Sequence, residues 1–437
     1  MERWNALQSE STDLNPALWG YLAPMSEPSK AFPFVHLHPG KEKSLLRGHP
    51  WVFSGAIQRI EVDDAVPAPG DWVCVISSKG QALGWGHWGA GSIAVRIIAS
   101  GSLHAPPDSS WWAERIAECL AVRQSVGLGP GTGTETDCCR LVHGEGDGLS
   151  GLVVDWYAGM AVVQTHSMGM HRAWPELSAG LQAGLGSSLN LIVNKSAALI
   201  AKLPGVEEQV EDGTVWSSDS KASASAVREV SEHGIRYKVS PIDGQKTGFF
   251  LDQRDNRLLL MQCVQDRAVL NAFSYTGGFS LAALQGGSPH VISLDASEKA
   301  VNAACHHAEI NGYADQHEGV QGDVMSYLRQ CETLPPVVVL DPPAYAKSRS
   351  ARHKAVQGYK RLNAEALKKM PKAGLLWTFS CSQVVDAQLF EDTIVAAAVE
   401  SGRTVRILRR LGQPADHPTR AGHPEARYLK GLVLHID

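Results

Sequence analysis

Two short apolar runs constrain the fold of this chain more than any other feature of its sequence. Residues 337–340 and residues 375–379 are short and almost wholly apolar, so each predicts a buried strand. Asp341-Pro342-Pro343 follows the first run directly, and Ser380-Cys381-Ser382 follows the second. Because the parallel strands of an open α/β sheet present their carboxyl ends at one edge, where ligands bind, we expect the acid and the thiol to meet there.

Predicted strands alternate with predicted helices from about residue 235 onwards. The strands are expected at residues 267–273, 291–294, 318–320, 337–340, 374–379 and 405–408. A last predicted strand, residues 429–436, follows a loop rather than a helix, which favours an antiparallel addition to the sheet. The pattern predicts a doubly wound, Rossmann-like α/β domain with a late antiparallel strand.

The earlier part of the chain predicts smaller domains, since 437 residues exceed what one hydrophobic core usually holds. Short β-rich segments between turn signals predict a small β-barrel, and a β-β-α-β pattern predicts an α+β module. Residues 211–227 are polar and predict a connector. We therefore expect a flexible extension at residues 1–33, the β-barrel at 34–105, the α+β middle domain at 111–225 and the α/β domain at 230–437.

The composition argues against a membrane protein, a disulfide scaffold and a metal site. No uninterrupted apolar run approaches the ~20 residues that span a bilayer, and residues 1–30 lack the apolar segment of a secretory signal. The eight cysteines form no C-x-x-C pair, and the 17 histidines show no metal-site spacing. This pattern predicts reduced thiols in a cytoplasmic protein without a bound metal.

One basic stretch contrasts with the net charge of −5. Residues 346–361 contain no acidic residue and carry Lys347, Arg349, Arg352, Lys354, Lys360 and Arg361. Such a run is often only a solvated loop and helix face. This one directly follows Asp341-Pro342-Pro343, at the rim of the predicted site, so we expect it to contact nucleic-acid phosphates.

A glycine-containing turn lies where the first strand of the α/β domain ends. Residues 271–278 (NAFSYTGG) open a helix there, but they are not G-x-G-x-x-G, so a pyrophosphate cradle is not supported. Asp295 and Asp323 end the next two strands, where one carboxylate can accept ribose hydroxyls and the other an adenine amino group. Each acid could instead cap a helix. Together with Asp341 they predict a site for an adenosine without phosphates, namely S-adenosylmethionine.

Cys381 is the candidate nucleophile. Most free cysteines are small buried hydrophobes, and we expect this of the other seven. The place of Cys381 at a strand end opposite Asp341 instead favours covalent chemistry on a flat heterocycle. Pro342-Pro343 predicts a stiff corner that can present a flat wall to a base.

Four segments of the α/β domain carry a family resemblance: residues 244–257 (GQKTGFFLDQRDNR), 271–279 (NAFSYTGGF), 341–343 (DPP) and 379–382 (FSCS). They resemble the RlmI-like family of bacterial 23S rRNA cytosine-5 methyltransferases. Three further segments resemble the N-terminal PUA domain and the C-terminal end of that family: residues 43–55 (KSLLRGHPWVFSG), 415–418 (ADHP) and 428–431 (YLKG). The resemblance covers nearly everything after residue 34.

The resemblance implies a PUA domain, a middle domain and a class I methyltransferase domain that acts on a cytosine in large-subunit ribosomal RNA. It implies S-adenosylmethionine as methyl donor and Cys381 as the nucleophile, with Asp341 holding the N3 edge of the base. The residues implied around the donor are Gln245, Phe273, Ser274, Tyr275, Gly277, Asp295, Asp323 and Asp341. RNA contacts are expected from Lys43, Arg47, Lys347, Arg349, Arg352, Lys354 and Lys360.

Ala344 departs from the family pattern. Many RNA cytosine-5 methyltransferases carry a second cysteine at this position, and the family resembled often has a lysine. The base that removes the carbon-5 proton is therefore unassigned. Methylation of a guanine ring nitrogen in rRNA and an inactive RNA-binding or ribosome-assembly factor stay open as alternatives, as does the choice between monomer and homodimer. Cys381 favours carbon methylation, because a ring nitrogen attacks without covalent help.

Overall fold

The computed structural model describes residues 31–62, 66–101, 103–133, 135–219, 223–225, 227–346 and 348–437. Most of the predicted extension at residues 1–33 lies outside these ranges. Three larger sheets follow one another along the chain, and each lies within one of the domains predicted above. The domain boundaries themselves stay a proposal.

The N-terminal sheet has six strands in the order β2-β6-β5-β4-β1-β3. Its strands are β1 (Phe34–Leu37), β2 (Trp51–Phe53), β3 (Ile57–Glu61), β4 (Trp72–Ile76), β5 (Ala82–Trp88) and β6 (Ile93–Ser100), and a short helix α1 (Glu42–Leu46) follows β1. The strands that the sequence predicts in this region cover residues 35–37, 51–53, 72–76 and 93–98, so β3 and β5 were missed. In β5 the reason is glycine: a Cβ on Gly84 or Gly86 would lie 2.4 Å from a carbonyl oxygen of β6, so packing requires residues that disfavour strands.

The middle sheet has five strands in the order β11-β10-β9-β8-β7. They are β7 (Cys138–His143), β8 (Leu152–Tyr157), β9 (Met160–Thr165), β10 (Leu191–Asn194) and β11 (Gly213–Ser217), and the helices of this region are α2 (Ser109–Ser125), α3 (Met168–Arg172), α4 (Trp174–Leu185) and α5 (Ala197–Ile200). The prediction that residues 211–227 form only a connector is wrong, because β11 pairs antiparallel with β10. Strand β11 lies at the edge of the sheet and is partly exposed, so it carries polar residues and its sequence did not predict a strand.

A two-stranded hairpin, β12 (Arg228–Glu232) and β13 (Ile235–Val239), leads into the largest sheet, whose seven strands lie in the order β16-β15-β14-β17-β18-β20-β19. These strands are β14 (Val269–Ala272), β15 (Val291–Asp295), β16 (His317–Gln321), β17 (Val337–Leu340), β18 (Leu375–Ser380), β19 (Val405–Leu411) and β20 (Lys430–Ile436). Strands β14 to β18 are parallel, and β20 pairs antiparallel with β18. The predicted doubly wound sheet with a late antiparallel strand is confirmed.

Helices cover both faces of this sheet, which explains why β14, β17 and β18 are buried at every position. The helices are α6 (Arg254–Met261), α7 (Gly278–Gln285), α8 (Glu298–Ile310), α9 (Val324–Gln330), α10 (Arg352–Lys369) and α11 (Ala387–Ser401). Successive residues of β17 enter opposite cores: Val337 and Val339 join one apolar cluster, and Val338 and Leu340 join the other.

Across the described ranges, no helix is both long and apolar enough to cross a bilayer. All eight cysteines lie within those ranges, and all are free thiols.

Candidate functional site

The two strand ends singled out in the sequence lie side by side. Strand β17 pairs parallel with β18, with Leu340 opposite Thr378, so Asp341 and Cys381 emerge at the same edge of the sheet. Cys381 is partly exposed at this edge, where the two strand ends border the candidate cleft. The buried Ser382 Oγ joins the two loops, because it lies 3.0 Å from the hydroxyl of Tyr359 and accepts a hydrogen bond from the Ala346 N–H at 3.4 Å.

The Asp341 carboxyl is suited to carry a proton near neutral pH. Burial and the negative charge of Asp252 raise the pKa of Asp341 to about 7, although a hydrogen bond from Gln253 Nε2 at 3.1 Å opposes the shift. At pH 7 Asp341 can therefore act as a hydrogen-bond donor as well as an acceptor.

Asp252 is the ionised member of this carboxylate pair. Burial alone would raise its pKa, but the Lys246 ammonium at 3.1 Å and the Tyr428 hydroxyl, which donates at 2.7 Å, hold the pKa of Asp252 below its usual range. The pair thus holds one negative charge and, on Asp341, one titrating proton. Sequence reasoning missed Asp252 and Tyr428 as site residues, although both lie in segments that carry the resemblance.

The environment of the Cys381 thiol favours its protonated form. Burial and the charge of Asp341 raise the pKa of Cys381, while Lys246 and Lys430 act in the opposite direction. A thiolate therefore forms more readily once Asp341 is protonated, because the repulsion between the two groups then disappears.

The segment 244–257, which composition could not assign, connects the cleft to the middle domain. Thr247 Oγ1 donates to Asp155 of β8 at 2.5 Å, and Arg254 Nη1 donates to Asp416 at 2.6 Å. Arg257 binds both carboxylate oxygens of Glu232, at 2.6 and 2.8 Å. Because these charged groups are buried and paired, the segment is a framework that fixes the orientation of the cleft wall.

The turn between β14 and α7 has the features of a ligand cradle. Phe273 and Tyr275 adopt left-handed backbone angles, with φ of 60° and 47°, which non-glycine residues rarely do. The buried Ser274 Oγ has no hydrogen-bond partner within the described part of the chain. An orphaned hydroxyl beside a helix N-terminus fits an adenosine ligand, since it would supply the missing partner.

Asp295 lies at the edge of this turn. Its two carboxylate oxygens accept hydrogen bonds from the main-chain N–H groups of Tyr275 and Ser297, each at 2.9 Å. These bonds fix the carboxylate and leave a further lone pair on each oxygen, enough for two ribose hydroxyls. The side chain is only partly buried, so those positions can be reached.

The other predicted donor contacts have visible structural roles. Asp323 caps α9, where its Oδ1 accepts from the main-chain N–H and the hydroxyl of Ser326, both at 2.8 Å. Gly277 allows close packing, because a Cβ there would lie 2.9 Å from the Cβ of Ala304 in α8. Gln245 is exposed, and its main-chain N–H donates to the Tyr275 hydroxyl at 2.8 Å.

The residues predicted to contact RNA divide into two groups. Lys43 and Arg47 are exposed at α1 of the N-terminal sheet, and Arg349, Arg352 and Lys354 are exposed near the start of α10. Lys360 is partly buried and forms a 2.7 Å ion pair with Glu400. Arg352 lies 3.5 Å from Asp386, and Lys347 is outside the described residues.

A histidine cluster that sequence spacing did not reveal joins the N-terminal sheet to the C-terminal loop. Its members His49, His423 and Glu425 place their ligand atoms within 4.8 Å of one another. The His49 Nδ1 accepts a hydrogen bond from the Trp51 N–H at 3.2 Å, which places the ring proton on Nε2. Because Nε2, which lies 3.6 Å from Glu425, carries the ring proton in this tautomer, it has no lone pair to offer a metal ion.

Comparison with known families bears on both ends of the chain. A family model described as a PUA-like domain matches residues 35–100, and one described as an S-adenosylmethionine-dependent methyltransferase matches residues 140–434. These matches confirm the predicted PUA domain and the predicted methyl donor.

Curated relatives match almost end to end. The chain is 36% identical to the ribosomal RNA large subunit methyltransferase I of Cronobacter sakazakii, across 92% of this chain and 98% of that protein. It is 34% identical to the protein of the same name in Salmonella arizonae, across 93% of this chain and 98% of the relative.

Solved structures share the fold. A chain described as a SAM-dependent methyltransferase from Streptococcus mutans aligns with a TM-score of 0.76 at 20% identity, over 92% of this chain and 99% of that one. A methyltransferase solved in complex with SAH aligns with a TM-score of 0.77, also at 20% identity and with the same coverage.

Proposed function

The chain belongs to the family of S-adenosylmethionine-dependent methyltransferases, and we propose that it methylates carbon 5 of a cytosine in large-subunit ribosomal RNA. The acceptor class follows from the names of the curated relatives and from the PUA-like domain. The choice of carbon 5 rests on one observation, the partly exposed Cys381 beside Asp341 at the ends of β17 and β18.

Cys381 supplies the activation that carbon 5 needs. Carbon 5 of cytosine is a poor nucleophile until a group adds to carbon 6. In the proposed reaction the Cys381 thiolate forms a bond to carbon 6, and the electron pair of the carbon 5–carbon 6 double bond becomes available at carbon 5. Carbon 5 uses this pair to form a bond to the donor's methyl group, whose bond to the sulfonium sulfur breaks and leaves S-adenosylhomocysteine. A base that Ala344 cannot provide then takes the proton of carbon 5, and the double bond forms again as the sulfur–carbon bond breaks and the thiolate leaves.

Asp341 acts on the opposite edge of the ring. With a pKa of about 7, raised by burial and by Asp252, its carboxyl can donate a proton to N3 of cytosine as sulfur adds. Protonation of N3 draws electron density from carbon 6 and so favours the addition. Asp252 stays ionised and keeps the proton of the pair on Asp341 at neutral pH.

The turn from Phe273 to Gly277, with Asp295 beside it, holds the donor in this proposal. When bound, S-adenosylmethionine supplies the electrophilic methyl group. Ser274 Oγ and the carboxylate of Asp295 hold the adenosine, because both have unused hydrogen-bonding capacity at the cleft.

RNA backbone contacts come from two exposed basic groups in this proposal, Lys43 with Arg47 and Arg349 with Lys354. The target base must leave its stack to reach Cys381, which costs roughly a few kcal/mol. Phosphate contacts offset this cost without reading sequence, and the PUA-like domain adds recognition of RNA shape.

The test combines the purified protein, labelled donor and large-subunit ribosomal RNA, followed by digestion and nucleoside analysis. We expect 5-methylcytidine as the labelled product. A labelled methylguanosine would replace the proposal with ring-nitrogen methylation, and a folded protein that binds RNA without transferring label would favour the assembly-factor alternative.

A further inference from the structure

Lys430, the first residue of β20, reaches back towards the strand end that carries Cys381. It lies opposite Ser380 in the antiparallel pair of β20 with β18. Its Nζ donates to the Ser382 carbonyl at 2.6 Å and to the Tyr428 carbonyl at 2.9 Å, and the residue is only 8% exposed. Burying an ammonium group costs free energy. The position of this one, next to the candidate nucleophile, indicates a function that offsets the cost.

We propose that Lys430 is a positioning residue that ties the Cys381 loop to β20 and stabilises the thiolate form of Cys381. The inference rests on the nucleophilic role proposed above for Cys381. The step itself is simple: the thiol loses its proton to water, and the negative charge that remains on sulfur lies beside a fixed positive charge.

The charges around Cys381 come from four elements. Asp341 after β17 and Asp252 before α6 disfavour the thiolate, whereas Lys246, in the loop before α6, and Lys430 on β20 favour it; the Tyr359 hydroxyl of α10 lies nearby. Lys246 lowers the pKa of Cys381 more than Lys430 does, but its side chain is 43% exposed and bound to Asp252, whose own charge acts on sulfur in the opposite direction.

Lys430 differs from Lys246 in both respects. Its two hydrogen-bond acceptors are neutral carbonyls, and within the described ranges no carboxylate lies within ion-pair distance of its Nζ. Burial lowers the pKa of Lys430 to about 8, while the charges of Cys381 and of Asp386, which caps α11, oppose that shift. The lysine is therefore still largely an ammonium at pH 7, and its charge is available to sulfur.

The experiment measures the reactivity of Cys381 as a function of pH, without RNA or donor. Iodoacetamide alkylates thiolates, and peptide mass spectrometry follows Cys381 separately from Cys263, which is exposed. Lys430→Gln keeps an amide donor but removes the charge, and Lys430→Arg keeps the charge. Lys195→Gln is the matched control, because Lys195 is also partly buried and also donates to a main-chain carbonyl, that of Gly244.

We expect Lys430→Gln to slow alkylation of Cys381 about tenfold at pH 7, where the wild-type lysine is charged, and to change the rate little above pH ~9, where that lysine has lost its proton. The alkylation rate of Cys381 in Lys430→Arg should stay within about threefold of the wild-type rate (about half a pKa unit), and in Lys195→Gln within about twofold. Thermal unfolding of each variant shows whether it is folded.

Two results would overturn the inference. In folded Lys430→Gln, an unchanged profile means that sulfur does not sense the charge. If Lys430→Arg changes the alkylation of Cys381 as much as Lys430→Gln does, only the shape of the loop matters. Should the labelled product prove to be a methylguanosine while Lys430→Gln still shifts the profile, the proposed function fails and the interaction between Lys430 and Cys381 stands.

Discussion

Replacing Asp252 with asparagine tests the charge coupling in the cleft most directly. The amide keeps the size of the side chain but removes the negative charge that helps to hold the proton on Asp341. The substitution also frees the Lys246 ammonium from its partner at 3.1 Å, and that charge likewise favours ionisation of Asp341. Both effects lower the pKa of Asp341.

The size of the effect follows from the pKa of Asp341, about 7. An ordinary aspartate titrates near ~3.9, so the shift is about three units, or about 4 kcal/mol in favour of the protonated form. Burial is the largest cause and survives the substitution. We therefore expect Asp252→Asn to lower the pKa of Asp341 by about one unit, the usual effect of one nearby charge.

The assay is the pH dependence of the initial rate of methyl transfer. In the proposed mechanism the rate depends on the fraction of Cys381 that is ionised and on the fraction of Asp341, with its pKa of about 7, that is protonated. Asp252→Asn lowers both pKa values, because the charge of Asp252 also disfavours the thiolate. The optimum should therefore move to lower pH by about one unit.

A matched control is Asp243→Asn, in the same loop but exposed and 3.8 Å from Lys299. This variant should leave the optimum in place. An optimum that stays fixed, or moves to higher pH, in folded Asp252→Asn protein would refute the coupling between the two carboxylates.

Three further predictions address the nucleophile, the buried acid and the framework. RNA carrying 5-fluorocytosine at the target should form an adduct that survives a denaturing gel with the wild type but not with Cys381→Ala; an adduct in the variant would relocate the nucleophile. Asp341→Asn should stabilise the protein by about 1–3 kcal/mol in urea unfolding at pH 8 but little at pH 4, because the folded pKa of about 7 exceeds the unfolded value near ~3.9 and the wild type loses stability as pH rises between them. Equal effects at both pH values would contradict this. Arg254→Met should cost about 3–5 kcal/mol, because it removes the guanidinium partner of the buried Asp416, whereas Arg406→Met at an exposed pair should cost under about 1 kcal/mol; similar losses for both would show that burial of the pair is not decisive.

The parts of the fold that the sequence predicted are those whose local pattern matches their final burial. Strands β17 and β18 are buried at every position, so their apolar runs were visible without knowledge of their neighbours. Strand β11 lies at an edge and is partly exposed, and β5 needs glycine for its approach to β6. Their sequences reflect exposure at an edge and close backbone packing rather than burial on both faces, and therefore lack the apolar runs that reveal β17 and β18.

The candidate site divides in the same way. Asp341 and Cys381 could be placed together because one rule, the common edge of parallel strand ends, relates them. The contact of Asp252 with Tyr428 spans 176 residues, and Lys430 approaches the Cys381 loop only because β20 adds antiparallel beside β18. No periodicity or spacing encodes such contacts, so they required the structure.

The charges of the cleft also explain how, at one pH, the site can favour loss of the proton from the Cys381 thiol while Asp341 keeps its own. With Asp341 protonated, the ionised groups that act on sulfur are Asp252, Lys246 and Lys430, whose formal charges sum to +1 and favour a thiolate. With Asp341 ionised the same sum is zero, and the thiol is favoured instead. Addition of sulfur to the base and donation of the Asp341 proton to N3 should therefore occur together, since the departing proton leaves a negative charge on Asp341 just as the charge on sulfur is consumed. The net charge of the site and base then stays constant through the step, so little rearrangement of the surrounding dipoles is needed.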